Sequence, residues 1–178
     1  MSLSAIVFCG DDQRRGGREF DLARAMVASL SMLVPLHIEG IVRDIVIVGP
    51  EGLELPLVAE HAGCDCVEAA SEAAGLHPAA ELTHEPDLLL LKAGHGLEPL
   101  LVEECRHRMA DPDGWRKIMQ LTRSPENWRE RYISAACVGL ILPGARKVLS
   151  PGDSFSTITR RHRGETRLPP LANRIAFF

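Results

Sequence analysis

The chain has 178 residues, 46% of them apolar and 25% charged, with a formal net charge of -4. That length suits one domain with a sizeable core, and the apolar share excludes wholesale disorder. The acidic balance argues against nonspecific nucleic-acid binding, which needs clustered Lys and Arg against phosphates, so no nucleic-acid partner is expected.

Met1 to Ser4 leads straight into an apolar segment without the basic region and cleavage site of a signal peptide, which predicts a cytoplasmic protein. No apolar run approaches the roughly 20 residues that cross a bilayer. Leu3 to Phe8 reads as a buried first strand, and the loop after it runs Cys9, Gly10, Asp11, Asp12, Gln13, Arg14, Arg15, Gly16, Gly17. A helix is predicted from about Asp21, which caps it, with Leu22, Met26, Leu30 and Leu33 on its core face. Ile41 to Val48 is a β-branched strand closed by Gly49, Pro50, Glu51 and Gly52. Leu53 to Ala62 reads as a helix with Gly63 as its stop, and Cys64 to Glu68 as a third strand. Strand, helix, strand, helix, strand implies a parallel sheet.

Ala69 to Glu85, with Pro78 inside, predicts one or two short helices. Asp87 to Leu91 is a buried central strand by composition, followed by Lys92 and a Gly-flanked loop holding His95. Leu97 to Met109 looks helical, Asp111 to Gly114 forms a turn, Trp115 to Leu121 is amphipathic, and Glu126 to Arg131 is a helical turn. Ser134 to Leu142 is a strand or a buried helix, and the tail from Ser150 is less regular.

Five cysteines without a secretion signal argue against a disulfide framework; Cys9 and Cys137 read as buried small hydrophobes. Cys64, Cys66 and His61 form a denser cluster. The spacing of the two cysteines is read as putting their sulfurs on opposite faces of a strand, against a metal site there. Gly10 to Gly17 lacks the Gly-Lys-Ser/Thr ending of a P-loop, and Ser154, Ser156, Thr157 and Thr159 lack a nucleophile-elbow pattern. Arg160, Arg161, His162, Arg163 and Arg167 are either a phosphate-binding patch or a solvated tail; no aromatic residue is interleaved with them.

The stretches Leu33-Val34-Pro35, Glu39 to Val48 and Ala62-Gly63-Cys64, and then Asp87 to Pro99, resemble bacterial glycosyltransferases of the dolichyl-phosphate-mannose-synthase-like, GT-A type. The resemblance implies a single domain over 1–178, a three-layer α/β/α arrangement with a mostly parallel sheet, and a nucleotide sugar as partner. A homodimer is compatible with it. In that family the second strand ends in an aspartate and a glycine- and serine-rich turn; here Gly49, Pro50, Glu51 and Gly52 stand there. The family's Asp-x-Asp or His-Ala-Asp motif falls on Lys92 and Gly94, neither of which offers the oxygen ligands a divalent cation needs, so no metal or other cofactor is expected. Pro151-Gly152-Asp153 resembles a family Gly-Asp-Gln turn, and Asn173 stands where an acceptor-activating aspartate is expected but cannot act as a carboxylate base.

Because ligands bind at the carboxyl ends of parallel strands, the candidate nucleotide contacts are Cys9, Asp11, Asp12, Gly49, Glu51, Lys92 and His95. Lys92, His95 and Asp153 are the candidates for catalysis, with Lys92, His95 and Arg14 or Arg15 as basic replacements for a metal. The bland readings are a solvated turn for Asp11 and Asp12, an exposed loop histidine for His95, and a snorkelling strand-end lysine for Lys92. Two other functions stand beside a glycosyltransferase-like protein without ordinary metal-dependent activity. One is a noncatalytic scaffold or regulatory protein; the other is a nucleotidyltransferase-like enzyme, whose Gly-Gly opening and downstream Lys are missing here.

Overall fold

The computed structural model describes residues 2–11, 13, 21–111, 117–123, 136–145, 149–162, 166–167 and 172–174, the last two stretches by backbone alone. Asp12, Arg14, Arg15, Arg163, the turn at 126–131 and most of 163–178 lie outside them. In chain order the elements are β1 (Leu3–Phe8), α1 (Leu22–Ile38), β2 (Val42–Gly49), α2 (Leu55–Ala62), β3 (Asp65–Glu68), α3 (Glu72–Leu82) and β4 (Leu88–Lys92). There follow β5 (His95–Leu97), α4 (Pro99–Ala110), β6 (Met119–Thr122), β7 (Cys137–Leu142), α5 (Phe155–Arg161), β8 (Thr166–Arg167) and β9 (Ala172–Arg174).

The main sheet has the order β3-β2-β1-β4-β7-β6-β8, and β5 pairs with β9 in a separate antiparallel ribbon. β1 pairs in parallel with both β2 and β4, β2 with β3, and β6 with β8, so β7, antiparallel to β4 and β6, alone runs against the others. All six residues of β1 are buried, as a strand in the middle of a two-sided sheet requires; five are apolar, and the hydroxyl of the sixth, Ser4, donates to Asp44 Oδ1 at 2.6 Å. Alternate residues feed opposite layers. Ala5, Val7, Leu89 and Leu91 pack with α1, α2 and α4, whereas Ile6, Phe8, Leu88 and Leu90 pack with α3 and α5. This is the expected three-layer α/β/α arrangement.

Local chemistry sets the helix limits. The Asp21 carboxylate accepts from the Arg24 amide at 2.9 Å and starts α1, whose Leu22, Met26, Leu30, Leu33 and Leu36 are buried at helical spacing. Gly63 ends α2 in the left-handed region at φ 66°, where a side chain would be strained. At Gly139 in β7 a Cβ would lie 2.9 Å from the Leu90 carbonyl oxygen and 2.9 Å from Leu121 Cδ1, so only glycine fits between β4 and β6.

Several expectations are corrected. Within 69–85, of the one or two helices expected there is one, Glu72–Leu82, which carries Pro78 inside it. Met119 to Thr122, overlapping the end of the amphipathic stretch, is a fully buried strand, and Cys137 to Leu142, the described part of the stretch expected as strand or buried helix, is strand β7. His95 opens a short strand rather than sitting in a loop. The tail after Ser150 contains α5, capped by Ser154, whose hydroxyl accepts from the Thr157 amide at 3.2 Å. Cys64 and Cys66 pack against the same apolar cluster, because residues two apart in extended chain share a face; the opposite-face reading was a period error. Cys137 is half-buried rather than buried.

Candidate functional site

The chain leaves β1 through α1 toward β2 and β3, and then returns through α3 to place β4 on the other side of β1. Strand order therefore reverses between β1 and β4, the switch point at which open α/β sheets form a ligand crevice beyond the carboxyl ends of their strands. The segments after β1, β3 and β4 meet there. Gln13 stitches two of them: its Oε1 accepts from the Gly10 amide at 2.9 Å, and its Nε2 donates to the Ala93 carbonyl at 2.7 Å.

Asp11 and Glu72 form a reciprocal pair. The Asp11 amide donates to Glu72 Oε2 at 3.2 Å, and the Glu72 amide, at the start of α3, donates to Asp11 Oδ1 at 3.1 Å. The other Glu72 oxygen accepts from the Phe155 amide at 3.1 Å. Glu72 is 6% exposed. Burial raises its pKa above the ordinary carboxylate value and the nearby Asp11 charge adds to that, while the two amides and the Lys92 ammonium act the other way.

Beyond β4 the backbone turns through Ala93 and Gly94, the latter at φ 77°. The Ala93 amide donates to the Phe8 carbonyl at 2.8 Å, which ties the turn to β1. Buried Ser29 of α1 fixes its far side: its hydroxyl accepts from the Gly94 amide at 3.0 Å and donates to the His95 carbonyl at 3.1 Å. His95 Nδ1 sits 3.2 Å from the Lys92 carbonyl and 3.3 Å from that of Ala93. Two carbonyl acceptors require the proton on Nδ1, which leaves the Nε2 lone pair on the other side of the ring. Burial lowers the pKa of His95, and the Lys92 and Arg123 charges push the same way, outweighing its two carbonyl partners. His95 is thus a neutral acceptor, and the positive charges acting on it are those of Lys92 and Arg123.

The remaining candidates are spread out. Cys9 is 2% exposed, its thiol 3.7 Å from the Gly10 carbonyl and its amide on the Val48 carbonyl at 2.9 Å, so it serves the core. Gly49 is buried at the end of β2, where its carbonyl accepts from the Ala69 amide at 2.9 Å and a Cβ would clash with Leu55. Glu51 is exposed in the following turn. Asp153 is bound by both Arg161 guanidinium nitrogens at 3.0 and 2.8 Å and by the Ser150 amide at 3.0 Å. The Arg161 pair holds its pKa below the ordinary carboxylate value, and its carboxylate braces α5.

Glu72, Gln13, Ser29 and Arg123 were not singled out from the sequence. A Glu behind a Ser at a helix start reads as ordinary first-turn chemistry, and nothing local reveals partners 61 and 83 positions away. Among the described residues, no group of three or more His, Cys, Asp or Glu side chains is placed to hold a metal ion. A groove of about 570 Å³ lies between α1 and α2, lined by Val27, Leu30, Val34, Leu57, Val58 and Cys64. It sits toward the amino ends of β2 and β3, away from the crevice.

No family model and no curated protein matches the chain. Solved structures do. A mycobacterial protein superposes with a TM-score of 0.61 at 11% identity over 98% of this chain and 65% of its own. TarS from S. aureus gives 0.59 at 10% identity over 98% and 60%. Glucosyl-3-phosphoglycerate synthase from Mycobacterium tuberculosis, solved with Mn2+, UDP-glucose and phosphoglyceric acid, gives 0.52 at 10% identity over 72% of this chain and 45% of that one. The chain spans less than half the length of this last enzyme and under two thirds of the other two. At such identities the likeness shows the fold alone, a GT-A-type arrangement with helices on both faces of a mostly parallel sheet.

Proposed function

We propose that the chain binds a nucleoside diphosphate or nucleotide sugar at the β1–β4 crevice, without a divalent metal. The observation that carries this reading is Lys92 at the carboxyl end of β4, the position where the resemblance expects a metal-binding carboxylate, with Arg123 near enough to bear on the same histidine. A diphosphate needs positive charge from a cation or from fixed side chains, and these two supply the second kind. Asp11, at the end of β1, is the proposed contact for the nucleoside part. His95 Nε2 offers a neutral hydrogen-bond acceptor. Glycosyl transfer by the ordinary metal-dependent route has no support among these residues.

Calorimetric titration with UDP and GDP, with and without Mn2+, tests the reading. Saturable binding is expected, unchanged by Mn2+, and weakened about tenfold to a hundredfold in Lys92→Ala, the range for losing a hydrogen bond to a charged group. Strengthening by Mn2+ would contradict the metal-free account. No binding to either nucleotide would favour a noncatalytic scaffold, a reading that draws on the exposed apolar residues Val27, Val34, Ile38 and Leu57 of α1 and α2.

A further inference from the structure

Three segments distant in sequence converge on one side chain. The loop after β1 reaches Glu72 through the Asp11 amide at 3.2 Å, and α5 reaches it through the Phe155 amide at 3.1 Å. Both bonds end on the same carboxylate, which is buried at the start of α3. At the other end of α5 the His162 carbonyl accepts from Gln120 Nε2 of β6 at 3.2 Å, Arg161 folds back on Asp153 within the same segment, and the Phe155 ring rests on Phe8 at 5.0 Å between centroids. Phe8 is the last residue of β1, so the apolar contact and the polar one address the same strand end.

We propose that Glu72 is a positioning residue that couples the β1 loop to α5, so that ordering one orders the other. The physical reason is that a buried carboxylate is held in its charged form only while its donors are present. Withdrawal of either amide leaves the carboxylate short of a partner, weakens its grip on the remaining one and favours its rotation toward solvent. The two attachments therefore share one free energy rather than adding as independent bonds. The Lys92 charge acts on the same carboxylate, so an anionic ligand on Lys92 bears on the clamp through that charge. The last step rests on the nucleotide reading above; the coupling itself does not.

Amide hydrogen exchange on the full chain, followed by mass spectrometry or NMR, tests it. In Glu72→Gln the amides of Asp11 and Phe155 are both expected to exchange about tenfold faster or more, since the amide side chain keeps one acceptor and turns a donor toward the second N–H. Glu72→Asp, too short to span both amides, is the second variant should the first fail to fold; it is expected to speed exchange at both amides as well, and one amide left fully protected in it would likewise overturn the coupling. Arg161→Ala, which loosens α5 from its far end, should speed exchange at the Asp11 amide in the unaltered chain and have no further effect in the Glu72→Gln background. A role in stability alone would leave those two effects additive. The coupling is overturned if Glu72→Gln releases only one amide, or if Asp11 ignores Arg161→Ala. In the presence of whichever of UDP and GDP binds, Phe155 exchange should slow in the unaltered chain and not in Glu72→Gln; binding that leaves Phe155 unchanged counts against the clamp. If neither nucleotide binds, the nucleotide reading falls while the ligand-free exchange still decides the coupling.

Discussion

At the scale of single residues, the ionisable groups report how dry each layer is. Burial pushes the Cys105 thiol up to about 12 and the Cys64 thiol up to about 11, the latter helped by its neighbour Cys66. Both are therefore protonated at neutral pH and poor nucleophiles. Alkylation with iodoacetamide at pH 8, read by mass, should leave Cys64 and Cys105 unmodified in the folded protein and label them in urea. The linkage has a definite sign. A raised thiol pKa gives Cys64 a stabilising contribution that is complete below 9.0 and is lost as pH rises through about 11. For His95 the shift is downward, so its contribution is present above 6.5 and lost as pH falls through the folded value. An NMR titration should find His95 uncharged at pH 7, whereas a ring titrating above 6.5 would contradict its burial.

Elements were legible in proportion to their apolar content. β1, β2, β4 and α1 could be read because β-branched runs and helical spacing are local signals, and Asp21 and Gly63 marked ends with side chains or backbone conformations of their own. β6 escaped because half its buried residues are the polar Gln120 and Thr122, satisfied by tertiary partners such as the His162 carbonyl at 3.2 Å from Gln120 Nε2. α5 escaped because its Ser, Thr and Arg content resembles a solvated tail, although the Ser154 cap was present to be seen. The crevice was half legible: the rule about strand ends found Lys92 and His95, while Glu72, Gln13 and Ser29 act through partners on other elements. Gly139 offers a test at this scale. Gly139→Ala would press a methyl group against the Leu90 carbonyl, with an expected loss of about 1–3 kcal/mol in urea unfolding. No loss would mean that β7 can shift away from β4.

For the whole molecule, the central sheet is shared by both helical layers, and neighbouring residues of one strand serve different layers. Leu90 belongs to the cluster with α3 and α5, and Leu91 to the cluster with α1, α2 and α4. Leu90→Ala and Leu91→Ala should each cost about 2–5 kcal/mol while leaving the denaturant slope unchanged, as one cooperative unit requires. A reduced slope in either variant would show that the two layers unfold separately. The crevice depends on the same unity. Gln13, Ser29 and Glu72 each fasten stretches of chain that are remote in sequence, with acceptors and donors set at fixed reach. One residue inserted between Gly10 and Gln13, or deleted from the turn at Ala93 and Gly94, would carry these fasteners out of range together. The spacing of the chain around the crevice is thus set by the reach of three side chains, and the lengths of the connections that frame it are fixed.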